Sequence, residues 1–236
     1  MADDSATKTR VPVWEDNAKQ SIKAGIRKFS KPLGELVSRD ANEGDTRLLI
    51  TDFLCEALGY DKFEDLTTEY AVRYEFADYG IRINKQLIAF IEVKRAAQQL
   101  SSKHLRQVET YAVKEGLEWL ILTNGQMWQV YHVTAATGRP VQTELLFETD
   151  LLGDETPAKK TDKLFLIHRE ALKKNAIADE WRKRAATSPT AIARALVSES
   201  VVDAIRKEIR SHTRFNADGG DLERLIRTEV VRSGLL

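Results

Sequence analysis

The chain has 236 residues, 42% hydrophobic and 31% charged, enough apolar material for one domain with a substantial core and an appendage. Lys+Arg and Asp+Glu each number 36, so the zero net charge lends no global support to nucleic-acid binding. No apolar run approaches the roughly 18 residues of a membrane span, the N-terminus has no apolar signal core, and the lone Cys55 allows no disulfide framework. A cytoplasmic protein with no membrane partner is expected, with Cys55 a small buried hydrophobe.

Residues 1–15 are polar and are expected as a disordered tail. Ile22, Ile26, Phe29, Leu33, Leu36 and Val37 keep helical spacing over about 16–38, with Pro32 a candidate kink. Asn42 is a good N-cap for a helix over 43–58 whose apolar face is Leu49, Ile50, Phe53, Leu54, Ala57 and Leu58. Strands are expected near 69–76, 78–84 and 87–94, followed by a helix from Ser101 or Ser102 to about 115. Leu117–Thr123 and Met127–Val133 flank Asn124-Gly125, a strong hairpin signal, with Trp119 and Trp128 packed around it. A further strand fits 141–148. By composition 151–162 reads as a linker, separating a core over 16–150 from a helical extension over 163–236. Within the extension Ser188-Pro189 starts a helix with a stripe of Ala193, Leu196, Val197, Val201, Ala204, Ile205 and Ile209, and Gly219-Gly220 precedes a last helix over about 221–233. Residues 168–236 hold 14 Lys+Arg against 10 Asp+Glu, leaving 22 against 26 in residues 1–167.

The chemistry concentrates in residues 78–94. Strand-forming residues on both sides of Asn84-Lys85 make a hairpin that brings Asp78 beside Glu92. Two carboxylates so placed form a hard-oxygen site suited to Mg²⁺. Strand alternation puts Lys94 on the face of Glu92. A shared metal requires Asp78 opposite Glu92, hence an odd-numbered loop or a two-residue turn corrected by a bulge. An unbulged two-residue turn sends Glu92 to the other face. The competing reading is a solvated Asp78 and an exposed Glu92–Lys94 pair. Leu87, Ala89, Ile91 and Val93 on one face, with Ile88 and Phe90 on the other, speak for a strand covered on both sides instead.

Asp78…Glu92-x-Lys94 resembles the PD-(D/E)XK nuclease superfamily. Asn42-Glu43-Gly-Asp-Thr46-Arg47, Leu58-Gly59-Tyr60-Asp61, Ala77-Asp78-Tyr79, Ile91-Glu92-Val93-Lys94-Arg95, Gln107-x-x-x-Tyr111 and Leu122-Thr123-Asn124-Gly125 are, in that order, similar to the N-terminal nuclease domain of type I restriction enzyme R subunits and its stand-alone relatives. Ala77 stands where the superfamily pattern has proline. The resemblance covers roughly residues 35–150 and implies an α/β restriction-endonuclease-like core (α-βββ-α-β with extra strands) plus the C-terminal α-helical extension.

It further implies Mg²⁺-dependent (or Mn²⁺-dependent) hydrolysis of DNA in a restriction or phage-defence setting. DNA is the expected partner, together with restriction-system subunits or a second copy of the chain. Asp78, Glu92 and the Val93 carbonyl are the expected metal ligands, with Glu43 expected to hold a second ion or orient a metal-bound water, and Lys94 the catalytic cation. Glu43 shares a helix stripe with Thr46, Ile50, Leu54 and Ala57 and matches the acidic residue such nucleases place near the metal; its other reading is a first-turn acid favoured by the helix dipole. Gln107 and Tyr111, one turn apart, match a pair that assists DNA positioning, or are an interfacial tyrosine and its polar neighbour. The alternative function is a catalytically inactive nuclease-fold module that binds DNA or a partner subunit; a metal-independent interaction scaffold is a third. There is no Gly-x-x-x-x-Gly-Lys-Ser/Thr phosphate loop, so ATP-driven translocation is not expected of this chain.

Overall fold

A computed structural model describes residues 11–72, 75–136, 138 and 140–235. It resolves into two compact units, residues 1–177 and 178–236. Residues 1–10 of the expected tail lie outside the described residues, and its last three are already helical.

In the first unit, helix α1 (Val13–Ser38) buries Ile22, Ile26, Phe29, Leu33 and Leu36. Pro32 stays inside it with its ring on the exposed side; burial of Phe29, Leu33 and Leu36 around it outweighs the missing hydrogen bond. Helix α2 (Glu43–Glu56) starts at Asn42, whose Oδ1 accepts the Asp45 N–H at 2.8 Å. Thr46, Ile50, Leu54 and Ala57, the stripe that begins at Glu43, are all buried. Cys55 is only half-buried, which corrects the expectation of a core thiol.

The two helices approach closely at one point. A Cβ on Gly25 would stand 2.2 Å from the Ala57 Cβ. Gly25→Ala is therefore expected to destabilise the protein by about 1–3 kcal/mol through overpacking. The thermal midpoint should drop about 2–4 °C per kcal/mol, and Ala57→Gly should restore part of the loss. An unchanged midpoint in the single variant would show that the helices can move apart freely.

The sheet comprises β1 (Leu66–Val72), β2 (Glu75–Ile83), β3 (Gln86–Val93), β4 (Trp119–Thr123), β5 (Met127–Thr134) and β6 (Gln142–Asp150), neighbours in that order. All pairs are antiparallel except β3–β4, which is parallel because helix α3 (Ser102–Glu115) crosses between them. Strand β1 begins at Leu66, before the expected start at 69, and residues 75 and 76 of the expected strand belong to β2. Both α2 and α3 touch β3, and Ala89 through Val93 are all buried, as expected of a strand covered on both faces. The tight β4–β5 turn carries Gly125 at φ 83, close against Leu33. Trp119 and Trp128 pack as expected, Trp128 against Phe53 of α2.

Segment 151–162 is not a linker. Pro157 takes the first position of helix α4 (Pro157–Phe165) under the Thr156 cap, and buried Lys160 donates to the Leu151 and Gly153 carbonyls at 2.8 and 2.7 Å. Helix α5 (Arg169–Lys173) is tied to the same unit: Tyr60 Oη donates to the Ile167 carbonyl, and Arg169 pairs with Asp65. The first unit thus runs beyond the expected limit of 150.

Helix α6 (Ala176–Ala186) leads into the second unit, which contains α7 (Pro189–Leu196), α8 (Glu199–Thr213), α9 (Gly219–Leu225) and a π-helical turn, Ile226–Val230. Ala193, Val202, Ile226 and Val231 form its small core. The single helix expected after Ser188 is two, because Val197 leaves the helix and Ser198 begins α8; Val202 is buried and Ala204 exposed. Gly219-Gly220 opens α9 under an Asp218 cap rather than standing outside it. Among the described residues no helix is long and apolar enough to cross a membrane.

Candidate active site

The β2–β3 hairpin turns on Asn84 and Lys85, both at positive φ (52° and 68°), between paired Ile83 and Gln86. Such a two-residue turn alone would set Asp78 against Ile91. The register shifts near Ile81, however, leaving Ile88 unmatched, and beyond it Ile81 faces Ala89 and Tyr79 faces Ile91. Continuing that register sets Asp78 opposite Glu92, the bulged alternative of the two that a shared site requires.

Asp78 also sits where the alternation of β2 is interrupted. Ala77 packs in the α3-side cluster with Phe90, yet Tyr79, two residues on, turns its hydroxyl to Thr51 of α2. Residues two apart in a regular strand share a face. The position across from Asp78, Glu69, has φ 49, so both strands are distorted there.

The Asp78 carboxylate is 12% exposed and doubly held. Its Oδ2 accepts the Val93 N–H at 2.8 Å and its Oδ1 accepts from Arg47 Nη1 at 3.1 Å. Arg47 also lies 3.6 Å from Glu69. These groups, with Gly44, Thr51 and Tyr79, line a cleft of about 390 Å³. Tyr79 Oη donates to the Arg47 carbonyl at 2.8 Å and lies 2.9 Å from Thr51 Oγ1, so the helix turn that carries Arg47 is pinned to β2.

Glu92 is only 3% exposed. Its Oε1 accepts from Lys94 Nζ at 2.6 Å, while Oε2 is buried without a hydrogen-bond partner. Burial pushes its carboxyl up to about 7; the Lys94 hydrogen bond works against the rise, and Asp78 and Glu43 add to it. Lys94 is 13% exposed. Burial disfavours its charge, but the hydrogen bond to Glu92 and the charges of Glu92, Glu43 and Asp78 outweigh burial and raise its pKa.

An orphaned carboxylate oxygen on a residue whose strand register sets it opposite a second carboxylate fits a divalent cation, because a hard-oxygen ligand pair satisfies such an ion and the ion satisfies the orphan. Asp78 keeps free lone pairs beyond its two hydrogen bonds. Glu43, half-buried in the first turn of α2, acts electrostatically on Glu92 and Lys94. Among the described residues, however, no three His, Cys, Asp or Glu side chains are grouped so as to hold a metal by themselves. Any site here rests on Asp78 and Glu92, with backbone and water completing it.

Gln107 Nε2 donates to Tyr111 Oη at 3.0 Å. Tyr111 is buried in one cluster with Ala77 and Phe90, one residue before Asp78 and two before Glu92 in the chain, whereas Gln107 is exposed. Other motif residues fasten the frame. Thr46 Oγ1 accepts the Ala96 N–H at 3.1 Å, the Lys94 N–H donates to the Thr123 carbonyl at 2.8 Å, Asn124 Nδ2 donates to the Gln98 carbonyl at 2.9 Å, and Arg95 pairs with Asp40. Arg47 belongs to the motif, and the sequence alone assigns it no role. Its signal was available: it lies one turn beyond Glu43 and so leans the same way.

Residues 42–145 match the family model described as the type I restriction enzyme R protein N terminus. Over this segment, less than half of the chain, the protein is similar to that family. It contains every residue of the site, from Glu43 through Asp78, Glu92, Val93 and Lys94 to Gln107 and Tyr111, while α1 and everything after Leu145 fall outside it. The R-protein N-terminal segment sets the site in a restriction-system nuclease context. No curated protein and no solved structure matches the chain.

Proposed function

We propose that the R-protein N-terminal segment is a PD-(D/E)XK core that hydrolyses DNA phosphodiester bonds with Mg²⁺, or Mn²⁺ in its place. The observation that carries this reading is the buried, unpartnered Glu92 Oε2 beside Lys94 in a hairpin whose bulge sets Asp78 across from Glu92. Asp78, Glu92 and the Val93 carbonyl hold the cation, and Glu43 holds a second ion or orients a water. A cation bound there supplies Lewis-acid polarisation of the phosphate and a more acidic water. Lys94 either helps orient and deprotonate the attacking water or offsets the negative charge that builds on the phosphorus. Gln107, on the exposed side of Tyr111, positions the DNA strand.

The test is plasmid cleavage by the purified chain with Mg²⁺ or Mn²⁺, against EDTA. Supercoiled plasmid converted to nicked or linear form only with the metal supports the reading. DNA bound but never cut favours an inactive module, a reading to which the Arg47 hold on Asp78 lends some support.

The second unit, with 11 Lys+Arg against 9 Asp+Glu, contacts DNA backbone in this reading. A chain ending at Ile177, where the first unit ends, should bind duplex more weakly and with a shallower salt dependence than the full chain, because each lost phosphate contact lowers the slope by about 0.9. Equal affinity and slope would assign the second unit another task, such as oligomerisation or docking of a restriction-system subunit.

A further inference from the structure

Residues 17–34 of α1 hold five cations and no acid, in a chain of zero net charge. Two of the five are engaged: Lys19 pairs with Glu15 and Asp162, and Lys28 with Glu56. The other three, Lys23, Arg27 and Lys31, recur at every fourth residue. They form one exposed stripe about 12 Å long, and among the described residues none has an ion pair. Glu35 follows Lys31 by one turn without an ion pair among the described residues, and Lys23 and Arg27 have no acid one turn away on the helix in either direction, so three like charges at this spacing repel each other. The stripe is a cost to the chain alone, offset when an anion lies along it.

Beneath the stripe, Lys23, Ile26, Arg27, Ser30, Leu151, Pro157, Ala158 and Lys160 line a groove of about 480 Å³ between α1 and α4. The Lys160 amine is turned inward to two backbone carbonyls, so the groove has a cationic rim over a largely apolar floor. Two acids nearby are already engaged, Asp162 by Lys19 and Glu155 by Lys163. None of these residues belongs to the candidate active site, and all lie outside the stretch that matches the family.

We propose that the α1 stripe and its groove bind the sugar-phosphate backbone of double-stranded DNA without reading base sequence. A duplex carries one negative charge per roughly 1.7 Å of axis, so 12 Å of it presents about seven phosphates and the stripe needs no fixed register. The Ser30 hydroxyl beside the cations is spent on the Ile26 carbonyl, and exposed Gln20 adds one amide a turn before Lys23; a surface otherwise cationic fits positioning rather than base readout. The surface holds flanking duplex while the hairpin site acts. It takes DNA as the partner from the function proposed above, but binding and cleavage are separable.

The experiment measures duplex affinity by fluorescence anisotropy across salt concentrations, with the full chain in EDTA, on two duplexes of unrelated sequence. It compares the wild type with a triple variant, Lys23→Ala/Arg27→Ala/Lys31→Ala. The slope of log K against log salt should fall by about three, close to one per lost phosphate contact, and equally for both duplexes. The thermal midpoint should hold, because exposed side chains without partners contribute little. An unchanged slope overturns the proposal, as does binding of polyglutamate as tight as that of DNA. If the slope is unchanged while the wild type cuts plasmid, the nuclease reading stands and the stripe falls. If the slope drops but no plasmid is cut, the stripe stands and the nuclease reading falls.

Discussion

Replacing Lys94 by alanine should lower the cleavage rate by about two orders of magnitude or more, the scale of losing one preorganised electrostatic stabiliser. DNA affinity measured in EDTA should stay close to that of the wild type, because Lys94 is nearly buried and points at Glu92 rather than at solvent. The substitution also removes the one hydrogen bond that restrains the pKa of Glu92, so that carboxyl should move further up. The pH at which Mg²⁺ begins to bind should therefore rise in the variant. That shift separates the charge-offset role from simple misfolding, which would not move a binding midpoint. A Lys94→Ala protein that cuts plasmid at nearly the wild-type rate would remove Lys94 from the machinery.

Asp78→Ala and Glu92→Ala should each abolish both Mg²⁺ binding and cleavage, since among the described residues no cluster of three such side chains is present and loss of either leaves the proposed ion one side-chain ligand of the pair. The pH dependence of the wild type follows from Glu92. Its carboxyl ionises at about 7 in the folded protein, against an ordinary value of 4.5. In EDTA, stability from this group is full below 4.5 and is lost as pH rises through 7, because a buried carboxyl must then carry charge. The loss is on the order of a few kcal/mol. Mg²⁺ should reverse it above pH 7 and do little below, giving a metal-induced rise in thermal midpoint that fades on acidification. His168, buried and with its pKa pushed down by burial, acts with the opposite sign over part of the same range. The comparison with Glu92→Gln isolates the carboxyl: that variant should lose both the decline between pH 4.5 and 7 and the response to Mg²⁺. A metal response that survives Glu92→Gln would place the cation elsewhere.

Much of this arrangement was legible in the order of residues. Helical spacing from Ile22 to Leu36, the Asn42 cap and the Asn124-Gly125 turn are local signals, decided by neighbours within a few positions, and each formed as read. The motif words carried the family. Glu43 could be told from Asp45 because the stripe through Thr46, Ile50, Leu54 and Ala57 is set by helix geometry alone.

What the order of residues left open was settled by packing between distant segments. Whether Glu92 faces Asp78 depends on one unmatched residue, Ile88, and a two-residue turn is equally compatible with the slipped pairing until β4 and α3 bury β3. Pro157 reads as a linker residue until Lys160 is seen anchored to the Leu151 and Gly153 carbonyls; a proline at a first helical position and one in a loop look alike locally. Arg47 becomes a partner of Asp78 only when α2 lies across β2, 31 residues away in the chain. The charge of α1 vanished in the sum over 1–167, because net charge is blind to which cations already have partners. Local chemistry determined the elements and the reactive residues. Tertiary contacts decided register, burial and which charges are left free, since these depend on what each side chain finds beside it in the folded protein.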